Sequence, residues 1–96
     1  MAIRSFADKE TQRFFETGKA AKGTGWSNVK DVARRKLAMV DYAAVLNDLK
    51  SPPNNKLEAL SGNLAGLHSI RINDQWRVVF RWAASGVTEV QIIDYH

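Results

Sequence analysis

The strongest constraint on the fold lies in the last thirty residues, Leu67 to His96, where apolar and polar side chains alternate in three runs. Successive side chains of an extended strand point to opposite faces. In the first run Ile70 and Ile72 share one side, and Ser69, Arg71 and Asn73 the other. In the second, Trp76, Val78, Phe80 and Trp82 form the apolar set, opposed by Arg77, Val79 and Arg81. In the third, Val90 and Ile92 form the set with Asp94 in line, opposed by Glu89, Gln91, Ile93 and Tyr95.

Paired residues must share a face, and this fixes the register. A two-residue turn at Asn73-Asp74 would set Ile70 against Arg77 and mix the faces. A three-residue turn, Asn73 to Gln75, pairs Ile72 with Trp76, Arg71 with Arg77 and Ile70 with Val78. In the second hairpin, pairing Phe80 with Val90 and Val78 with Ile92 keeps the apolar set together. It also sets Arg81 against Glu89 and puts Tyr95 beyond Arg77. One face is then buried, and the other gathers Arg71, Arg77, Arg81, Gln91 and Tyr95. Glu89 gives Arg81 a partner. Arg71 facing Arg77 is a like-charge pair, which costs stability and points to an anion held between them, with a solvated surface pair as the alternative. By the same parity His68 lies with Ile70 on the core side and is read as structural.

Upstream, Ala2 to Phe6 reads as a short strand. Asp8 is a helix N-cap, Phe14 and Phe15 anchor that helix, and Gly18 ends it. Lys19 to Gly25 is a basic connector. Ser27 caps a second helix, with Val29, Val32, Ala33, Lys36, Leu37 and Val40 at helical spacing and a break at Asp41 or Tyr42. Arg34 and Arg35 fall largely off that stripe and read as a solvated face. Ala43 to Leu49 is a further short helix with Val45, Leu46 and Leu49 buried. Ser51-Pro52-Pro53-Asn54-Asn55 is a loop, because two prolines stop a helix and asparagines favour turns. Lys56 to Leu60 follows, and Ser61 to Gly66 is a second turn-rich stretch. Together these make an α+β fold: a small twisted, mainly antiparallel sheet with an N-terminal strand and three C-terminal strands, and two to three helices on one face.

Ninety-six residues make one domain, residues 1–96. With no cysteine, disulfides and thiolate metal sites are excluded. No run reaches membrane-spanning length and the N-terminus lacks a signal-peptide core, so a cytoplasmic protein is expected. The net charge of +4, from 14 basic and 10 acidic residues, suits a polyanionic partner. The two histidines lie on different strands with no metal-ligand spacing, so neither a metal nor another cofactor is expected. The chain closes on Asp94-Tyr95-His96. Carboxylate, phenol and imidazole are groups that move protons in metal-free nucleic-acid cleavage.

Asn55-Lys56-Leu57-Glu58-Ala59-Leu60-Ser61-Gly62-Asn63, then Ser69-Ile70-Arg71-Ile72-Asn73-Asp74-Gln75-Trp76-Arg77, and the closing Asp94-Tyr95-His96 resemble the HigB-type (plasmid maintenance killer) toxins of the RelE/ParE superfamily. Ile3-Arg4-Ser5-Phe6, Arg35-Lys36-Leu37 and Ser51-Pro52-Pro53 fit the same pattern, so the resemblance spans the chain. It implies a toxin of a type II toxin–antitoxin system that enters the ribosomal A site and cuts mRNA during translation. It implies a cognate helix-turn-helix antitoxin of HigA type, and operator DNA reached only through the toxin–antitoxin complex. No membrane partner is implied. Carried onto this chain, Arg77 matches the arginine that steadies the scissile phosphate, and Asp94, Tyr95 and His96 match the C-terminal catalytic cluster. Glu58 stands where family members carry a proton-transferring histidine, and a glutamate can serve as general base. Arg71, Lys56 and Arg81 are expected at the RNA phosphates. The superfamily also contains gyrase-inhibiting toxins of the same fold, so a non-enzymatic toxin, or a weakened toxin acting as antitoxin-binding corepressor, is the alternative.

Overall fold

The first hairpin has the register that the shared-face argument requires: Ile70 stands opposite Val78 and Arg71 opposite Arg77. Its turn is set by Asn73, whose Oδ1 accepts the backbone N–H of Gln75 at 2.9 Å and of Trp76 at 2.7 Å. An asparagine side chain that imitates a turn in this way holds the three-residue connection closed. The computed structural model describes residues 1–94. In chain order these form α1 (Lys9–Thr17), α2 (Lys30–Tyr42), β1 (Glu58–Ala59), β2 (His68–Arg71), β3 (Arg77–Ala83) and β4 (Gly86–Ile93). The strands make one antiparallel sheet in the order β1-β2-β3-β4.

The second hairpin departs from the expected register at one point. Val78 pairs with Ile92 and Val79 with Gln91, but Arg81 pairs with Thr88 rather than Glu89. One extra residue on β4 makes a bulge, and Phe80 and Val90 are not a direct pair. Glu89 sits in it with a left-handed φ of 56°. Its backbone N–H is taken by the Ser5 hydroxyl at 3.1 Å, and its carboxylate still reaches Arg81.

Ser5 belongs to a segment that covers the outer edge of β4. The N-terminal residues run parallel to β4 and touch it at two bridges, Ile3 with Val87 and Phe6 with Val90. A continuous N-terminal strand does not form, because the bulge between those bridges interrupts the ladder; the sheet's fourth strand is β1. The edge groups are nevertheless met in sequence. Val87 N–H donates to Ala2 O at 3.0 Å, Arg4 N–H to Val87 O at 2.7 Å, Val90 N–H to Ser5 O at 3.2 Å and Ala7 N–H to Val90 O at 2.8 Å. Beyond them, the Ile92 N–H is accepted by the hydroxyl of Thr11, a fully buried residue on α1. An uncovered row of such groups would be a template for pairing with other chains.

Helix α1 begins at Asp8, whose carboxylate accepts the Thr11 N–H at 3.0 Å, and ends at Gly18 with φ 76°. Ser27 does not cap α2. It opens a short 3-10 turn, Ser27–Val29, and α2 follows without a side-chain cap. The expected third helix is also a 3-10 turn, Leu46–Lys50. The Asp48 carboxylate ties back to the N–H groups of Ala44 and Val45, and the prolines end the segment. Leu49 is buried there, but Val45 is exposed, contrary to expectation.

Phe14, Ala33, Leu37 and Val40 from the helices close over Ile70, Val78, Phe80, Val90 and Ile92 of the sheet. Burial of side chains such as Phe14 and Phe80 stabilises the fold by about 1.5–3 kcal/mol each. His68 lies on this side as parity predicts, with its ring 6.3 Å from that of Phe80. The opposite face is less open than alternation alone indicates: Ser69 and Val79 are fully buried and Arg77 is 7% exposed.

Replacing Thr11 with valine keeps the shape and removes the hydroxyl that accepts the Ile92 N–H. The expected loss is about 1–3 kcal/mol, the cost of a buried donor left unmet. Urea denaturation checks this, with an unchanged far-ultraviolet spectrum showing that the fold persists.

Candidate active site

Arg77 opens β3 and is the centre of the polar cluster. A guanidinium so nearly removed from water needs fixed acceptors. It finds the Glu58 carboxylate, with Nη1 to Oε1 at 2.8 Å, and the carbonyl of Lys56, to which Nη2 donates at 2.6 Å. Lys56 holds a left-handed conformation, φ 47° and ψ 55°, which turns the chain between the Pro53–Asn55 turn and β1. Glu58 then pairs across with Ser69 on β2, so three strands fix the Arg77–Glu58 pair. The Glu58 side chain is half exposed.

Glu58 also borders a shallow cleft of about 440 Å³ with Ala59, Leu60, Ser61, Asn63 and Leu64. This places one side of the pair against open space. Asp94 follows β4 directly, where Ile93 is opposite Arg77, and its carboxylate accepts from Gln75 Nε2 at 3.0 Å. It therefore lies at the same end of the sheet as Arg77. Tyr95 and His96, expected in the cluster, lie outside the described residues.

Two expectations about arginines change. Arg71 does face Arg77, but the pair is not a bare like-charge couple awaiting an anion. Arg71 bonds Asp74 in the adjoining turn while Arg77 is drawn to Glu58, so separate carboxylates relieve the repulsion. Arg81 is four residues along β3 from Arg77, roughly 13 Å at strand rise, and is paired with Glu89. It does not join the cluster. Lys56 is exposed, two residues before Glu58.

Sequence reasoning placed Lys36 on the apolar stripe of α2 without a role. It is 5% exposed, and its amine donates to the side-chain oxygen of fully buried Asn55. Burial lowers its pKa, and the neighbouring Arg35 and Arg71 charges lower it further. The signal in the sequence was a lysine at a core-facing position. Among the described residues no three His, Cys, Asp or Glu side chains gather as a metal site, and no helix is long and apolar enough to cross a membrane.

Residues 4–96 match the model of the HigB-like toxin family, described as the RelE-like toxin of type II toxin–antitoxin system HigB. Toxin HigB-1 of Vibrio cholerae serotype O1 is 38% identical over 91 residues, covering 95% of this chain and 94% of the relative. The fold is shared with the YoeB–YefM complex from Staphylococcus aureus, at TM-score 0.58 and 21% identity over 100% of this chain and 97% of the other. It is also shared with the YoeB/ParE toxin from Agrobacterium tumefaciens, at TM-score 0.56 and 23% identity with both chains fully covered.

The lowered pKa of Lys36 has a consequence for stability. Between the folded-state pKa and the unfolded value of 10.5, the unfolded chain binds more protons. Stability contributed at this residue therefore rises with pH through that window. Against Lys36→Met, which does not titrate, the wild type should gain stability as pH rises from neutral towards 10.5. Urea denaturation of both proteins across that range tests it; a difference that falls with pH would contradict the assignment.

Proposed function

The chain belongs to the HigB-like toxins, the RelE-like toxins of type II toxin–antitoxin systems, and from that membership we propose that it is a ribosome-dependent mRNA endoribonuclease restrained by a cognate antitoxin. The observation that carries this reading is the Arg77–Glu58 contact at 2.8 Å. In RNA the attacking 2′-hydroxyl adjoins the phosphate it attacks. A carboxylate touching the guanidinium that holds the phosphate is therefore beside the proton it must remove.

In the proposed reaction Glu58 accepts the 2′-hydroxyl proton as that oxygen bonds to phosphorus. The bond to the 5′-oxygen breaks, leaving a 2′,3′-cyclic phosphate and a 5′-hydroxyl. An acid from the C-terminal cluster, His96 or Tyr95, gives the leaving oxygen its proton. Arg77 stabilises the charge that builds on the phosphate, and Asp94 positions its neighbours. Arg71 and Lys56 steady flanking phosphates. The ribosomal A site supplies the orientation of the mRNA. Such an enzyme works where translation occurs, in the cytoplasm. Its partner is a helix-turn-helix antitoxin of HigA type, through which it meets operator DNA. The antitoxin part has structural support in kind, since a neighbour of the same fold was solved as a YoeB–YefM complex.

Programmed ribosomes with purified toxin test the reading. Arg77→Ala should slow cleavage by about 10²–10³-fold, the usual effect of losing one stabiliser of transition-state charge, and naked RNA should be cut poorly by the wild type. If Arg77→Ala stays folded and is equally toxic in cells, the non-enzymatic reading replaces this one.

A further inference from the structure

We propose that Lys36 is a positioning residue, which through Asn55 sets the Arg77–Glu58 pair; the proposal rests on the reading of that pair as the cleavage site. Lysine is expensive to bury, and here Arg35 and Arg71 add repulsion. A methionine would fill similar space without that cost, so packing alone does not account for an amine at this position.

The amine has a definite task. It donates to Asn55 Oδ1, and Asn55 is fully buried. The Asn55 amide nitrogen in turn donates to the carbonyls of Leu49 at 3.1 Å and Ser51 at 3.3 Å. Both ends of that side chain are thus committed inward, and Asn55 is pinned between helix α2 and the Leu46–Lys50 turn. The next residue, Lys56, carries the carbonyl that Arg77 grips at 2.6 Å, and Glu58 lies two residues further on. The left-handed turn at Lys56 directs that short stretch, and Asn55 is its fixed end. A rigid helix is thereby connected to the pair through one buried hydrogen bond. Supporting contacts of this kind decide whether reacting groups stay within the narrow range that catalysis needs.

The test uses the full chain and has two readouts. In nitrogen-15 spectra the Arg77 Nε–H resonance reports the guanidinium's surroundings without any reference to activity. Lys36→Met should shift or broaden it while the remaining spectrum stays dispersed. In single-turnover cleavage on programmed ribosomes, K36M should lower the rate at saturating toxin by roughly tenfold to a hundredfold. The half-saturating concentration should stay nearly unchanged. The double variant with Asn55→Ala should be no slower than Asn55→Ala alone, because both act through one contact. If K36M does not fold, Lys36→Gln, which keeps a donor on a shorter stem, is measured by the same criteria. A folded variant with the wild-type Arg77 resonance and rate overturns the proposal. If Arg77→Ala cuts as fast as the wild type, the reading of the site fails instead, and the Arg77 resonance alone then decides whether Lys36 holds the pair.

Discussion

A guanidinium taken almost out of water cannot be left unmet, and the polar half of this protein is arranged around meeting one. Arg77 is paid for by the Glu58 carboxylate and the Lys56 carbonyl, which belong to a different part of the chain. That single requirement ties the edge strand β1 to the start of β3 across β2. Lys56, in the turn after the prolines, and Glu58, at the start of β1, are the two residues that meet it. It also relieves the strain of Arg71 facing Arg77, since each is drawn to its own carboxylate.

The rest of the fold keeps this arrangement in place. The helices bury the Ile70, Val78 and Phe80 face, which fixes the hairpin register and so the position of Arg77 along β3. On the far side, the N-terminal segment and Thr11 satisfy the outer edge of β4, which carries Asp94 beyond its end. The bulge at Glu89 shifts the upper part of the hairpin and keeps Arg81 occupied with Glu89, away from the cluster. Sheet, edge cover and bulge together leave one concentrated polar end.

Much of this was legible in the sequence where a local rule governs it. Alternation gave the Arg71–Arg77 register, and side-chain chemistry gave the Asp8 cap and the Gly18 stop. The expected register named Arg81 and Glu89 as partners; their ion pair forms although the bulge sets Arg81 opposite Thr88. What escaped depends on contacts between distant residues. The bulge forms where Ser5 takes the Glu89 N–H, so alternation within the strands could not reveal it. Strand β1 is two exposed residues, too short to show a period. Glu58 was singled out by family resemblance rather than by its own spacing, and its grip on Arg77 appears only once the chain is folded. Lys36 was visible as a charge on an apolar stripe, but its partner Asn55 is nineteen residues away.

The central claim is that this polar end cleaves RNA by internal attack of a 2′-hydroxyl on mRNA held in the ribosome. Mapping mRNA 5′ ends after induction, by a ligation that accepts only 5′-hydroxyl termini, tests it most directly. The account predicts new 5′-hydroxyl ends in phase with codons, absent when His96 is deleted. Ends carrying 5′-phosphates, ends without codon phase, or toxicity with no new ends would contradict it.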